Sequence, residues 1–299
     1  MPPSTERTAR LAGGLELCYD TFGDAGDPAL LLVMGLAGPL TWWPVGLCEM
    51  LADRGFHVIR YDNRDVGRST SLAWLSAGRA DVVKAFVLGQ RYASPYTMAD
   101  LAADAVGLLD ALEVERAHVV GASMGGMIVQ TLTVEHPRRV RSLTSVMSST
   151  GRRWVGWQDP RLLPLLFAPE PASRSEYVAR SAKTWAVLGS PAYPASAAEV
   201  AERAGVTFDR GVSSAGTLRQ MLAVLTQPDR TAALRAVDAP TLVVHGLADR
   251  MVHVSGGRAT AAAVRGSELI CVPGMGHDLP EQLWPMLAAA IARNAARAA

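Results

Sequence analysis

The chain has 299 residues, 49% of them hydrophobic, with 29 Lys+Arg against 28 Asp+Glu for a formal charge of +1. Such length and apolar content exclude a disordered chain and suit one large α/β domain, or such a domain with an insertion. The balanced charge supplies no bulk attraction to nucleic acid or an anionic membrane, so the expected partner is a small molecule.

Met1 to Arg10 is polar and proline-containing, without the apolar core of a secretory signal, and no apolar run in the chain is long enough to span a bilayer. The expected location is cytoplasmic. Cys18, Cys48 and Cys271 are an odd, scattered set in apolar surroundings, which predicts buried free thiols rather than a disulfide framework or a metal site. Leu15 to Phe22 alternates as a half-buried antiparallel strand does, and the turn residues Gly23 to Pro28 follow it, which together predict a leading hairpin. Ala29 to Met34 is a continuous apolar run, as in a parallel strand covered on both faces. It ends in Gly35-Leu36-Ala37-Gly38.

Trp42 to Arg54 carries helical apolar spacing, and Phe56 to Tyr61 is a second buried strand leading into Asp62 to Ser69. Met98 to Leu112 places apolar residues at 101, 105, 108, 109 and 112, one face of an amphipathic helix. Val119-Val120-Gly121-Ala122 then runs into Ser123-Met124-Gly125-Gly126 and an apolar periodic segment, Met127 to Val134. Strand, tight turn and helix in that order set the serine of a Gly-x-Ser-x-Gly sequence on a sharp corner beside a helix N-terminus. Free N–H groups and the helix dipole favour negative charge there.

Val140 to Met147 is the next strand. From Thr150 to about Arg230 the strand signal stops, and Pro160, Pro164, Pro169, Pro171, Pro191 and Pro194 punctuate short helical patterns, which predicts an inserted helical lid. The expected organisation is a core in two parts, residues 1–150 and 231–299, around a lid at 151–230. Thr241 to His245 and Glu268 to Val272 resume buried strands, and Pro285 to Ala298 is an Ala-rich terminal helix.

Loops following parallel strands gather on one edge of such a sheet. Asp249 follows the strand ending at His245, and His277 follows the strand ending at Val272. A serine hydroxyl is a poor nucleophile at neutral pH and needs a neutral imidazole to take its proton. The imidazole needs a carboxylate on its other nitrogen to fix the tautomer. Ser123, Asp249 and His277 are therefore the expected nucleophile, acid and base. Asp278 is the rival acid, but it adjoins His277 in sequence and reaches back to that ring poorly. His57, His118 and His245 lie in buried strand patterns and read as structural, His136 as a capping residue, and His253 as a solvated loop residue.

With these residues in view the chain resembles the α/β-hydrolase family over nearly its whole length outside the lid. The run His57 to Thr70 (HVIRYDNRDVGRST), with Gly-Ala-Ser-Met-Gly and Pro-Gly-Met-Gly-His, is most similar to the aclacinomycin methylesterase branch, whose members hydrolyse a methyl ester on a polyketide glycoside. The resemblance implies an α/β-hydrolase fold with a mostly parallel eight-stranded sheet, ester hydrolysis, and an oxyanion hole made by the N–H groups of Met124 and Leu36. Met34-Gly35 stands where family members usually show His-Gly, and Asp65 stands where many show glycine.

Gly35, Trp154, Trp157 and Trp185 are the candidate substrate-pocket residues. With Trp42, Trp43, Tyr193 and Phe167, these tryptophans predict a largely apolar pocket for an uncharged, bulky or acyl-bearing ester. The expected activity is serine carboxylic-ester hydrolysis through an acyl-enzyme, with no metal or organic cofactor, in a monomer or homodimer. Perhydrolysis, C–C bond hydrolysis and acyl transfer use the same three side chains. A non-catalytic ligand-binding module on this fold is the reading from another class.

Overall fold

A computed structural model describes residues 5–162, 171 and 173–298; Pro164, Phe167 and Pro169 lie outside the described residues. Eight strands form one sheet: β1 (Arg7–Arg10), β2 (Glu16–Phe22), β3 (Ala29–Val33), β4 (His57–Tyr61), β5 (Ala117–Ala122), β6 (Val140–Val146), β7 (Thr241–Gly246) and β8 (Glu268–Val272). Their spatial order is β1-β2-β4-β3-β5-β6-β7-β8. β3 through β8 are mutually parallel, while β1 and β2 run antiparallel to their neighbours. The mostly parallel eight-stranded sheet read from the sequence is present.

The leading hairpin differs in its partner. Gly23 to Pro28 closes no hairpin, because β2 pairs with β4 across Tyr19 and Tyr61. The hairpin is made instead with β1, inside the segment read only as a polar leader, through a turn in which Leu11 N–H donates to Leu15 O at 2.8 Å.

The apolar runs of β3 to β5 fill both faces of the sheet because successive side chains point to opposite sides. Leu31, Val33, Ile59 and Val119 pack on one face with Leu101, Leu108, Ile128 and Leu132. Leu30, Leu32, Val58 and Val120 pack on the other with Leu47, Leu51, Leu287 and Ile291. The first set of partners comes from α3 (Met98–Ala111) and α4 (Met124–Glu135), the second from α1 (Val45–Ala52) and a C-terminal helix at Trp284–Ala296. α1 starts later than its apolar spacing suggests, since Pro44 holds an extended ψ of 141° and becomes its N-cap. A helix at Arg79–Leu88, here α2, buries Val82 and Ala85 but leaves the larger Val83, Phe86 and Val87 exposed, so apolar spacing in the sequence does not mark its buried face.

Between β6 and β7 lie α5 (Arg174–Leu188), α6 (Ala197–Asp209) and α7 (Ser214–Thr226), in the segment read as a lid. After β7 comes α8 (Ser255–Ala263), and the C-terminal helix is α9 (Trp284–Ala296). Among the described residues, no helix is long and apolar enough to cross a membrane. All three cysteines are free; Cys18 and Cys48 are buried as expected, whereas Cys271 on β8 is only partly so.

His118 sits 6% exposed on β5 with its Nδ1 2.8 Å from Ser142 Oγ. Burial, helped by the positive charges of Arg141 and Arg116, pushes its pKa down to about 4. The unfolded chain takes a proton at this histidine near pH 6.5, so the contribution to stability is complete above that pH and is lost as pH falls from 6.5 towards 4. His118→Asn is expected to lessen the loss of unfolding free energy between pH 7 and pH 5 by about 1–2 kcal/mol. Urea titrations of both proteins at the two pH values measure it, and parallel losses would contradict it.

Candidate active site

Ser123 joins β5 to α4 with φ 57° and ψ −121°, a conformation that L-residues rarely adopt. The corner closes only because its neighbours lack side chains. A Cβ on Gly121 would stand 2.2 Å from Gly125 O, and one on Gly125 would stand 2.0 Å from Val33 O. Ser123 N–H donates to Val146 O at 2.9 Å, which ties the corner to the adjacent strand. The Oγ is thereby raised at the C-terminal edge of the sheet, at the N-terminus of α4.

Asp249 is 5% exposed in the turn after β7. Its Oδ1 accepts from Met251 N at 2.9 Å and Val252 N at 2.8 Å, which fixes the carboxylate and leaves Oδ2 for a third donor. That donor is His277. Its Nδ1 lies 2.8 Å from Asp249 Oδ2, and its Nε2 lies 2.9 Å from Ser123 Oγ. A carboxylate only accepts, so Nδ1 carries the proton and Nε2 presents its lone pair to the serine hydroxyl. The two loops are laced together: Leu247 N donates to Val272 O and Ala248 N to Met275 O, at 3.0 and 2.9 Å.

Asp278, the rival acid, has other work. Its Oδ1 accepts a short hydrogen bond from Ser190 Oγ, and Ser190 N donates to Oδ2 at 3.3 Å. Burial raises its pKa, against the pull of Ser190 and Arg203. Ser190 Oγ also accepts from Gly276 N at 2.8 Å, and His277 N donates to Leu188 O at 2.8 Å. The end of α5 thus clamps the histidine loop, a function for Leu188 and Ser190 that no local motif announced.

Gly35 meets the serine directly: a Cβ there would lie 2.9 Å from Ser123 Cβ and 3.4 Å from its Oγ. Leu36 follows Gly35 in the chain, and Met124, the residue after Ser123, begins α4. The loop from Met34 to Leu40 is braced at both ends, by Asn63 Nδ2 donating to Met34 O at 3.0 Å and by Leu40 N donating to Asp62 Oδ1 at 2.6 Å. Asp65 has φ 69°, in the left-handed region that glycine enters without strain. Burial opposes its ionisation, but Arg219, Leu72 N–H and the Tyr96 hydroxyl outweigh it and hold the carboxyl below the usual range.

The tryptophans named from the sequence as pocket residues fall into three settings. Trp185 on α5 meets Trp42 edge to face at 5.5 Å, Trp42 Nε1 donates to Thr207 Oγ1 at 2.9 Å, and Arg203 lies 4.2 Å over the Trp185 ring. A Cβ on Gly38 would touch Trp42 at 2.8 Å, so this pair stands against the loop that carries Leu36. Trp154 and Trp157 are 79% and 54% exposed and form no enclosed wall. Trp43 is a core residue at 1% exposure. His253 lies in the loop before α8, partly exposed, stacked on Trp157 at 3.9 Å, with Nδ1 3.0 Å from Ser255 Oγ. His245 is fully buried as read, its Nε2 donating to Val252 O at 2.8 Å.

This fold, with a serine at a strand-to-helix corner and a histidine and an aspartate brought to it from later strands, is that of the α/β hydrolases, and the pattern of the alpha/beta hydrolase fold family matches residues 28–282. The chain belongs to that family. Over 294 residues, 92% of this chain and 93% of the other, it is 30% identical to the rhodomycin D methylesterase of Streptomyces peucetius. It is also similar to 3-oxoadipate enol-lactonase 2 of Acinetobacter baylyi, at 25% identity over 262 residues, 86% of this chain and 85% of that one. Among solved structures, a hydrolase from Pseudomonas aeruginosa superposes with a TM-score of 0.73 at 27% identity, covering 97% of this chain and 98% of its own.

Proposed function

We propose that the chain is a serine carboxylic-ester hydrolase in which Ser123 attacks the ester carbonyl. His277 takes the hydroxyl proton at Nε2 and gives it to the leaving alcohol, while Asp249 holds the ring and stabilises the imidazolium. The N–H groups of Met124 and Leu36 receive the oxyanion of the tetrahedral intermediate. A water molecule, activated by His277 in its turn, then releases the acid from the acyl-enzyme. The observation that carries this reading is the unbroken chain from Asp249 Oδ2 through His277 to Ser123 Oγ, with contacts of 2.8 and 2.9 Å.

Trp42 and Trp185, beside the loop of Gly35 and Leu36, supply an apolar wall for a small or medium, largely apolar ester. The similarity to the methylesterase and to the enol-lactonase, both named for ester-type bonds, supports ester hydrolysis over other uses of the same side chains. The helices α5 to α7, within the segment 151–230, are on this reading the cap over the site.

A fluorophosphonate probe tests the proposal. Intact-mass and peptide analysis are expected to find one adduct, on Ser123, and none on the Ser123→Ala variant. Turnover of p-nitrophenyl esters of graded acyl length, and of a methyl ester of a polycyclic acid, then identifies the preferred acyl group. A folded protein that takes no adduct and cleaves no ester would instead be a binding module on this fold.

A further inference from the structure

The loop that runs from Met34 to Leu40 is tied at its ends to the residues after β4, but its middle is held by a different part of the molecule. Ala37 has φ 55°, in the left-handed region that an alanine seldom occupies without restraint. The restraint comes from α7, 183 residues away in sequence, where Gln220 Oε1 accepts from Ala37 N at 2.8 Å. The same amide turns its Nε2 to Arg64 O, donating at 2.9 Å. Gln220 is wholly buried, and both ends of its side chain are used. Beside it, Arg219 grips Asp65 with two bonds of 2.6 and 2.8 Å and donates to Leu75 O at 2.8 Å. The helix can come this close because residue 216 is glycine; a Cβ there would lie 2.7 Å from Asp65 O.

We infer that Gln220 is a positioning residue for the oxyanion-binding loop: by holding the Leu36–Ala37 peptide against the Arg64 carbonyl, it aims the neighbouring Leu36 N–H at Ser123. The inference rests on the serine-ester reading above. Its physical basis is that a donor in an oxyanion hole is effective only when fixed where the charge develops, and a peptide plane free to turn would lose that alignment in the transition state while substrate still bound. Arg219 makes the helix a fixed support, and Gln220 transmits the support to the loop. The segment carrying α7 thus completes the site rather than only covering it.

Three variants test this. Gln220→Met keeps the volume and removes both bonds. Gln220→Asn keeps the amide but is one methylene too short to span Ala37 N and Arg64 O together. Gln220→Glu keeps the shape and an acceptor for Ala37 N but, as a carboxylate, has no proton to donate to Arg64 O. Melting and circular dichroism establish which are folded. Steady-state kinetics on p-nitrophenyl acetate, and inhibition by benzeneboronic acid, whose tetrahedral adduct on Ser123 mimics the transition state, give the readout. In Gln220→Met and Gln220→Asn, kcat is expected to fall on the order of 10- to 100-fold with KM within about threefold, the scale for a displaced oxyanion donor. Boronate affinity is expected to fall in parallel, and Gln220→Glu, which keeps the acceptor for Ala37 N, to lose less of both than Gln220→Met. A merely structural glutamine would lower Tm in each variant and leave kcat and boronate affinity of the folded fraction unchanged, so a folded Met or Asn variant with wild-type values overturns the inference. If wild-type protein itself neither cleaves the ester nor takes fluorophosphonate on Ser123, the serine-ester reading fails and carries this one with it.

Discussion

Replacing Asp249 by asparagine is expected to lower kcat by on the order of 10⁴ while KM stays within a few-fold, by analogy with the tautomer effect in other Ser-His-Asp sites. Asp249 Oδ1 is held by Met251 N and Val252 N, and the asparagine carbonyl can keep both bonds, so the turn survives. The other oxygen becomes an NH₂, which only donates. His277 Nδ1 must then accept, its proton moves to Nε2, and the nitrogen 2.9 Å from Ser123 Oγ no longer has a lone pair to receive the hydroxyl proton. Asp278→Asn provides the comparison. That carboxyl bonds to Ser190, not to His277, so its loss is expected to cost less than tenfold in kcat, through slackening of the clamp on the histidine loop. Steady-state kinetics of the two variants on one p-nitrophenyl ester distinguish them; a large loss in Asp278→Asn with a mild one in Asp249→Asn would reverse the assignment of the acid.

The contrast between these two neighbouring carboxylates shows what sequence could and could not convey. The strands from β3 to β7 are buried almost throughout because both faces are covered, whereas the edge strand β8 is only partly so; a residue just beyond such a strand must lie at the sheet edge, so Ser123, Asp249 and His277 could be placed together from spacing alone. β1 is four residues long with only Ala9 buried, too brief for any alternation to register. α8, from Ser255 to Ala263, is built of small residues apart from Arg258, so no large apolar face declares it. Position in the chain points to Trp154 and Trp157 as pocket walls, but their exposure depends on how the helices between β6 and β7 fold back, which local pattern does not encode. Gln220 is the extreme case. On α7 it is an ordinary polar residue, and its meaning arises only from Ala37 and Arg64, 183 and 156 residues earlier. Chemistry at strand ends is legible because topology repeats; support from an insertion is not, because each insertion meets the core in its own way.

Gly125→Ala is expected to damage stability and activity together, and the coupling is the informative part. The added methyl would lie 2.0 Å from Val33 O and 2.8 Å from Met34 O, main-chain atoms at the end of a central strand that cannot rotate away as a side chain could. Relief requires α4 and β3 to separate, at a cost of about 3 kcal/mol or more, by the scale of overpacked cores. For a chain of this size that lowers Tm by roughly 5–10 °C. The same displacement moves Gly35 and Leu36, which follow Met34, relative to Ser123, and misplacement by an ångström at a reacting centre costs on the order of 10² in kcat/KM. Gly13→Ala is the control, since a methyl there meets nothing within 4 Å. Urea denaturation and ester kinetics on both variants measure the two effects. If Gly125→Ala retained wild-type stability and turnover, the close approach of α4 to β3 would not be what holds the serine corner in shape, and the account of why glycine occupies that position would have to be abandoned.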